Sequence, residues 1–264
     1  MSSSIPLIYV LVGAIETNPV QFTYWERGMT NSRILCISDI HAPFQHHDTY
    51  PFLKAIKAKY KPDRIICLGD EISGNQISFH DKDPDALFSP DTEFQAAIDS
   101  LGPIYKLFPK VDLMESNHGA LVYRKAKFHG LPKRVLKSYR EIIEAPKGWR
   151  WHPHLTIKMS NGEKVFFHHG KSTKAAGLSK DMNMSAVEGH YHTRFEIVYW
   201  KGGDQVSKWG MKVGCMIDND AYDFNYNKSN LGTVMLGHGI ILDGVPKLLP
   251  MNLNKKGRWD GIVP

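Results

Sequence analysis

The chain has 264 residues, of which 42% are hydrophobic and 23% charged, and its formal net charge is +6 at pH 7. This length can bury a sizeable core, and the ordinary composition excludes disordered and fibrous classes. The moderate positive charge fits either a polyanionic partner such as nucleic acid or a mildly basic surface. The three cysteines form no disulfide framework and no CxxC pair, which favours a reducing, cytoplasmic compartment.

The first 28 residues differ from the rest of the chain. Residues 5–15 form an apolar run that is too short for a membrane span, which needs roughly 20 residues in a helix. We therefore expect residues 1–28 to be an N-terminal extension outside the core fold, and residues 29–264 to form one domain. A weak membrane or partner anchor is the alternative for this extension, and stable membrane insertion is not expected.

The first half of the chain alternates between apolar runs and amphipathic segments. Strands are predicted at residues 34–38, 64–68 and 111–114. Helices are predicted at residues 49–60 and 91–108, the second capped by residues 91–93, and a polar loop at residues 71–90. The order strand, helix, strand is typical of a parallel sheet with helical crossovers.

The second half has a different texture. Residues 123–144 predict a charged helix that is interrupted at Gly130 and Pro132. From Trp149 onward, short alternating runs separated by Asn-Gly and Gly-Gly turns predict mixed or antiparallel β-structure. These strands are predicted at residues 156–159, 164–168, 195–200, 233–236 and 240–243.

Side chains that bind metals follow several of these strands. They are Asp39 and His41, Asp70, Asn117 and His118, the doublet His168-His169, and His190 and His192. Because a strand that ends at such a residue delivers it to one edge of a sheet, we expect these groups to gather at one place. Two cations about 3.5–4 Å apart in such a set can clamp a phosphoryl group.

In order and approximate spacing, these motifs resemble the calcineurin-like metallophosphoesterase superfamily. The matching pieces, over residues 33 to about 200, are Asp39-x-His41, Gly69-Asp70, Asn117-His118, His169-Gly170 and Gly189-His190-x-His192. Residues 214–218 and 236–239 look like uncharacterised phage and bacterial members, so the compartment would be a host cytoplasm if the protein is phage-encoded. The resemblance implies an α/β fold, a four-layer α/β/β/α sandwich with mixed sheets.

The resemblance also implies a binuclear metal centre. The first ion would bind Asp39, His41, Asp70 and His192, and the second would bind Asp70, Asn117, His169 and His190. A hydroxide that bridges the ions would attack phosphorus, while His118 assists the leaving group. His169 is preferred to His168 because the family's histidine precedes a glycine. Manganese is the expected metal, with iron, zinc or nickel as alternatives.

Two departures from the family pattern bear on the substrate. The third motif begins with Ser116 where the family usually has glycine, and it ends with Gly119 instead of an acidic residue. Residues 69–74 lack the second aspartate that supports the catalytic histidine in phosphoprotein phosphatases, which disfavours a Ser/Thr phosphatase. Glu71 either supports Asp70 or is a loop carboxylate. His238 is not assigned to the centre because the ligand set is already complete.

A basic segment follows the third motif. Between Gly119 and Arg140 there is no acidic residue, and the basic ones are Arg124, Lys125, Lys127, Lys133, Arg134, Lys137 and Arg140. They could neutralise a phosphate backbone, with Arg124 and Lys125 binding substrate, or they could form a solvated helix face. The interleaved Tyr123, Phe128 and Tyr139 fit base stacking or the core equally well.

We therefore predict a binuclear metal-dependent phosphoester hydrolase, with a preference for phosphodiester bonds in DNA, RNA or nucleotides. The alternatives are a phosphomonoesterase acting on a nucleotide, small molecule or phosphoprotein, and a catalytically inactive scaffold. The sequence makes no prediction of the oligomeric state.

Overall fold

The structure is a computed structural model, and it describes residues 32–79, 88–219 and 233–264. The predicted N-terminal extension, residues 1–28, lies outside these ranges, as do residues 80–87 of the predicted polar loop. In the described parts of the chain, no helix is long and apolar enough to cross a membrane.

The first sheet has six strands in the order β11-β10-β1-β2-β3-β4. Its strands are β1 (Arg33–Ile37), β2 (Arg64–Cys67), β3 (Val111–Met114), β4 (Trp149–His152), β10 (Gly237–Leu242) and β11 (Val245–Pro250). Strands β1 to β4 are parallel to one another, and β10 and β11 are added antiparallel at the β1 edge. The helices α1 (Thr49–Tyr60) and α2 (Pro90–Leu107) connect the parallel strands.

The second sheet has five strands in the order β5-β6-β7-β9-β8. Its strands are β5 (Leu155–Lys158), β6 (Lys164–His168), β7 (Ser185–Glu188), β8 (Phe195–Lys201) and β9 (Ser207–Val213). The central strands β6, β7 and β9 are parallel, and the edge strands β5 and β8 are antiparallel to their neighbours. Both sheets are therefore mixed, as predicted.

The alternation of side chains along the strands builds four layers. On β1, Ile34 and Cys36 face the second sheet, whereas Leu35 and Ile37 pack with α1 and α2. On the outer face of the second sheet, Phe166 packs with Leu178 of α5 (Gly177–Asp181). Because the first sheet is covered on both faces, its central strands β1 and β2 are apolar after their first residue. The structure confirms the predicted four-layer α/β/β/α sandwich.

The helix ends depart in part from the sequence prediction. Helix α1 has the predicted bounds. Helix α2 begins one residue early because Ser89 caps it. The Ser89 hydroxyl accepts the Thr92 N–H, and the Thr92 hydroxyl accepts the Ser89 N–H. Glu93, which was expected in the cap, is buried and instead accepts the backbone N–H groups of Asn75 and Gln76.

The predicted interruption of the helix at residues 123–144 is confirmed, and one predicted strand is corrected. The helical segment is divided into α3 (Leu121–Phe128) and α4 (Tyr139–Ile142), with Gly130 in the left-handed region between them. The strand predicted at residues 233–236 is wrong, since only Leu236 forms a bridge, to Cys215. The Met235 N–H donates to the His192 carbonyl, and the Met235 carbonyl accepts the Cys215 N–H. Both partners belong to loops and not to a neighbouring strand.

A buried carboxylate on β3 yields a test of stability against pH. Asp112 is bound by Arg64 at 2.7 Å, His152 at 2.9 Å and Arg150 at 3.1 Å. Burial alone would raise the pKa of Asp112, but the hydrogen bond from His152 and the charge of Arg64 lower it to about 2. A carboxyl group whose pKa is lower in the folded chain than in the unfolded chain stabilises the fold at pH values above its unfolded pKa. This stabilisation is lost as the pH falls through its folded pKa.

Replacing Asp112 by Asn should therefore lower the free energy of unfolding by about 2 kcal/mol at pH 7. The difference from wild type should shrink as the pH falls from 5 towards 3, which urea denaturation at several pH values would measure. Asp99→Asn, on the exposed face of α2, is the matched control and should change little at any pH. A difference for Asp112→Asn that is constant with pH would contradict this account.

Candidate metal centre

The loops that follow β1, β2, β3, β6 and β7 meet between the two sheets. The backbone N–H of Asp39 donates to the backbone carbonyl of Gly69 at 3.0 Å, and that of His41 donates to the backbone carbonyl of Asp70 at 2.9 Å. In the second sheet, the Gly189 N–H donates to the backbone carbonyl of His169 at 2.8 Å. The strand ends are thus joined by backbone hydrogen bonds, and their polar side chains are directed to one place.

Four residues of this region have an unusual backbone conformation. Asp39, His41, Asp70 and His190 have φ values of +48°, +51°, +51° and +68°. Residues with a Cβ rarely adopt this left-handed region, and each such residue costs of the order of 1–3 kcal/mol. Strain of this kind persists only where the surrounding structure holds it, and four residues of the predicted site carry it.

Two glycines let the loops approach closely. A Cβ on Gly69, whose φ is +102°, would lie 2.5 Å from Ser116 Cβ and 2.9 Å from His169 Nδ1. A Cβ on Gly189 would lie 1.9 Å from Ser38 Oγ and 2.5 Å from Asp39 Oδ2. The glycine before Asp70 and the glycine before His190 are therefore required by packing.

The first group of converging side chains consists of Asp39, His41, Asp70 and His192. His192 Nε2 lies 3.2 Å from Asp39 Oδ1 and 3.2 Å from His41 Nε2. His41 Nε2 is 3.7 Å from Asp70 Oδ2. Burial lowers the pKa of His41 to about 4, so this imidazole is neutral and can act as a ligand at neutral pH.

The second group consists of Asp70, His169 and His190, with Asn117 beside them. His169 Nε2 lies 3.2 Å from Asp70 Oδ2 and 2.7 Å from Asn117 Oδ1. The rings of His169 and His190 have centroids 4.9 Å apart. Asp70 belongs to both groups, and its carboxylate lies between them.

The donor set fits a divalent cation. His169 Nδ1 is paired with the Leu68 carbonyl at 2.7 Å, so its Nε2 faces Asp70 and Asn117 with a lone pair. Converging lone pairs repel one another unless a positive charge lies between them. Burial alone would lower the pKa of His169, yet the carboxylate of Asp70 raises it to about 9, so a proton supplies that charge when no cation does. A metal competes with this proton for the same atoms.

Both carboxylates are buried, with 0% exposure for Asp39 and 1% for Asp70. Burial disfavours their charge, but bonds from His192 and His41 keep the pKa of Asp39 well below its usual value. The charges of His169 and His118 likewise lower the pKa of Asp70 against the effect of burial. Both groups are therefore ionised at neutral pH.

His118 lies at the open side of the two groups. Its Nε2 is 4.0 Å from Asp70 Oδ2, and its backbone N–H donates to Asp70 Oδ1 at 3.1 Å. Its Nδ1 is paired with the backbone carbonyl of Ser73. Ser73 occupies the position of the missing second aspartate, so a neutral carbonyl holds the ring where phosphoprotein phosphatases use a carboxylate.

The remaining residues singled out in the sequence lie outside the two groups. His168 stacks on Phe166 along β6, with centroids 6.3 Å apart, and His238 is buried against Phe52. Glu71 is buried and accepts the Trp151 indole N–H at 3.2 Å, so it supports the loop of Asp70. Arg124 and Lys125 lie on α3, beyond His118.

A third set of possible ligands, His46, His47 and Asp48, is engaged in other contacts. Asp48 accepts bonds from the Arg258 guanidinium at 2.6 and 2.8 Å and from the Trp259 N–H at 2.9 Å. His46 Nε2 is paired with the Gly257 carbonyl at 3.0 Å. These contacts attach the C-terminal segment to the loop before α1.

Sequence reasoning missed several supports of the site. The Ser38 hydroxyl donates to Asp39, and the Ser116 hydroxyl accepts the N–H groups of Asp70 and Gly119 at 3.0 and 3.1 Å. Ser116 stands where the family usually has glycine, and its hydroxyl holds the Asp70 loop in place. The position of Ser38 directly before Asp39 was the one local signal for this role.

A buried ion pair joins the two loops of the second sheet. Glu188, at the end of β7, accepts the backbone N–H groups of Lys171 and Ser172 at 2.7 and 3.1 Å, in the loop that follows His169. Its other oxygen binds Lys212 at 2.6 Å, and the Lys212 ammonium lies 4.3 Å from the Tyr191 ring. The pair connects the loop after His169 to the loop that carries His190.

A family model of calcineurin-like phosphoesterases matches residues 32–238. The chain therefore belongs to the calcineurin-like phosphoesterase family and is a metal-dependent hydrolase of phosphoester bonds. Comparison with curated proteins finds no match.

Several solved structures are similar to this chain. The phosphoesterase YfcE from E. coli is 13% identical, with 88% of this chain and 96% of that chain covered and a TM-score of 0.46. Vps29 from Chaetomium thermophilum is 12% identical, with the same coverage and a TM-score of 0.47. Vps29 from Entamoeba histolytica, solved in complex with Zn²⁺, is 11% identical, with the same coverage and a TM-score of 0.45.

The ion pair beneath the second group gives a prediction about metal binding. Replacing Glu188 by Gln removes the charge that holds Lys212 and weakens the bonds to the loop after His169. We expect the affinity of the His169–His190 group for Mn²⁺ to fall about 10- to 100-fold, the usual effect of losing a group that orients ligands. The group with His41 and His192 should be affected less. Titration calorimetry of the metal-free chain would separate the two binding events.

The matched control is Asp204→Asn, which breaks the ion pair between Asp204, exposed in the turn between β8 and β9, and Lys208. This variant should bind Mn²⁺ as wild type does. An equal loss at both groups for Glu188→Gln, or no loss at either, would contradict the role given to the ion pair.

Proposed function

We propose that this hydrolase is a binuclear phosphodiesterase that acts on nucleic acid or on a nucleotide diester. The observation that carries the proposal is the basic segment after His118. Its seven basic side chains make no ion pair with any acidic residue in the described part of the chain. Arg140 and Lys137 act electrostatically on Glu141, which leaves the charges of the other five available to a polyanion.

We assign the first ion to Asp39, His41, Asp70 and His192, and the second to Asp70, Asn117, His169 and His190. The distances within each group and the ionised carboxylate between the groups support this assignment. Divalent cations bound there supply Lewis acidity, which polarises a phosphoryl oxygen and lowers the pKa of water. Oxygen and imidazole donors without thiolates suit manganese, which we propose as the metal.

His118 is proposed as the general acid. Its Nδ1 is held by the Ser73 carbonyl, and its Nε2 is directed towards the side of Asp70 where substrate would enter. A proton on Nε2 can pass to the departing ester oxygen. Because the ring is partly open to solvent, it can take up a proton again after each turnover.

The positions of the charges favour a diester over a monoester. Within the described chain, Asp39 and Asp70 form ion pairs with histidines alone. Arg124 is six residues beyond His118 in sequence and lies in the first turn of α3. From there, Arg124 and Lys125 would bind a neighbouring phosphate of an extended substrate.

A direct test compares bis-p-nitrophenyl phosphate with p-nitrophenyl phosphate in the presence of Mn²⁺. We expect a higher kcat/KM for the diester, and Asp70→Asn should abolish activity on both compounds because both ions lose their shared ligand. A clear preference for the monoester would replace the proposal by a phosphomonoesterase.

A second prediction isolates the role of His118. His118→Gln should lower kcat by about 10²- to 10⁴-fold on a dinucleotide, whose alkoxide leaving group needs a proton. The loss should be much smaller on bis-p-nitrophenyl phosphate, because p-nitrophenolate leaves readily without one. Equal losses on the two substrates would show that His118 does not act as the acid.

A further inference from the structure

Two exposed phenylalanines lie together on the surface beside α3. Phe79, which follows the 3-10 turn Asn75–Ile77, is 46% exposed, and Phe128, at the end of α3, is 74% exposed. Their ring centroids are 6.0 Å apart in an edge-to-face arrangement with an interplanar angle of 78°. Large aromatic side chains clustered on the surface commonly mark a binding site.

Cationic groups surround this aromatic pair. The Arg124 guanidinium lies 5.1 Å and the Lys125 ammonium 4.2 Å from the centroid of the Phe79 ring. Lys127 is exposed on the same helix. None of the three forms an ion pair with an acidic residue of the described chain. Positive charges therefore lie at the edge of the two rings, and we call this edge the positive rim. Such a surface suits a ligand that has both an aromatic ring and a negative charge.

The other two aromatic residues of the basic segment are less exposed than Phe128. Tyr123 is half-buried, and its hydroxyl donates to the Lys137 carbonyl at 3.1 Å in the segment between α3 and α4. Tyr139 packs against Trp151, with ring centroids 5.5 Å apart, and lies next to Gly119. Phe128 is the member of this set that presents a ring to solvent, and Phe79 joins it from a different loop.

We propose that Phe79, Phe128, Arg124 and Lys125 form a platform that binds an unpaired base and its phosphate, so that the substrate is single-stranded nucleic acid. This inference rests on the proposed function and specifies its substrate. A base in a duplex has both faces stacked on its neighbours, whereas an unpaired base can stack on the Phe128 ring. The positive rim argues against an apolar protein segment as the occupant.

The experiment measures binding of a fluorescent ten-nucleotide oligothymidine, and of a hairpin duplex of similar charge, to the full-length metal-free chain. Phe128→Ala should weaken single-strand binding about 5- to 100-fold, the usual range for one stacked base. Duplex binding should change less than about 2-fold, since it depends on phosphate contacts. Phe128→Trp, which keeps a larger aromatic face, should restore single-strand binding.

The matched control is Tyr199→Ala, which removes an exposed aromatic ring from β8. It should leave the binding of both oligonucleotides unchanged, and circular dichroism of each variant would verify folding. Arg124→Gln and Lys125→Gln should each reduce the slope of log K against log salt for the single strand by about 0.7.

Two results would overturn the platform: unchanged single-strand binding by Phe128→Ala, or an equal loss for single strand and duplex. The proposed function is tested separately by wild-type turnover of bis-p-nitrophenyl phosphate, a compound without a nucleobase. Diester turnover combined with Phe128-independent binding would reject the platform alone. Phe128-dependent binding without diester turnover would reject the phosphodiesterase alone.

Discussion

The site depends on two carboxylates, Asp39 and Asp70, that are ionised and almost completely buried. Removing a charge from water costs several kcal/mol unless opposite charge and hydrogen bonds surround it. The fold supplies these partners from both sheets through histidine side chains, a serine hydroxyl and backbone N–H groups. Left-handed backbone at four proposed ligand positions and glycines at the points of closest approach accompany the packing of these partners around the two anions.

Strands β1 and β2 of the first sheet could be predicted from sequence because each is apolar after its first residue and is followed by a polar motif. Helix α1 could be delimited because Phe52, Leu53 and Ile56 follow helical spacing, and a proline follows its last turn. The predicted strand at residues 233–236 failed because an apolar run does not reveal its partner, and here the partners are loops. Ser116 and the Glu188–Lys212 pair escaped prediction because their roles arise from contacts between residues distant in sequence.

One short stretch of chain connects the reacting position to the proposed substrate surface. His118 is fixed by Ser73 and Asp70, and α3 begins three residues later and carries Arg124, Lys125 and Phe128 away from the centre. The ring of His118 is held by a neutral carbonyl, that of Ser73. The proposed preference for an extended single strand follows from this geometry together with the charges on α3, which form no ion pair with an acidic residue in the described ranges.

The central claim is that Asp70 joins two metal ions in one centre, and electron paramagnetic resonance of the Mn²⁺-loaded protein tests it most directly. We expect two ions per chain with the spectrum of an exchange-coupled pair, since ions that share a carboxylate lie about 3.5–4 Å apart. Asp70→Asn should abolish the coupling. A wild-type spectrum of isolated Mn²⁺ ions, or binding of a single ion at saturation, would contradict the account.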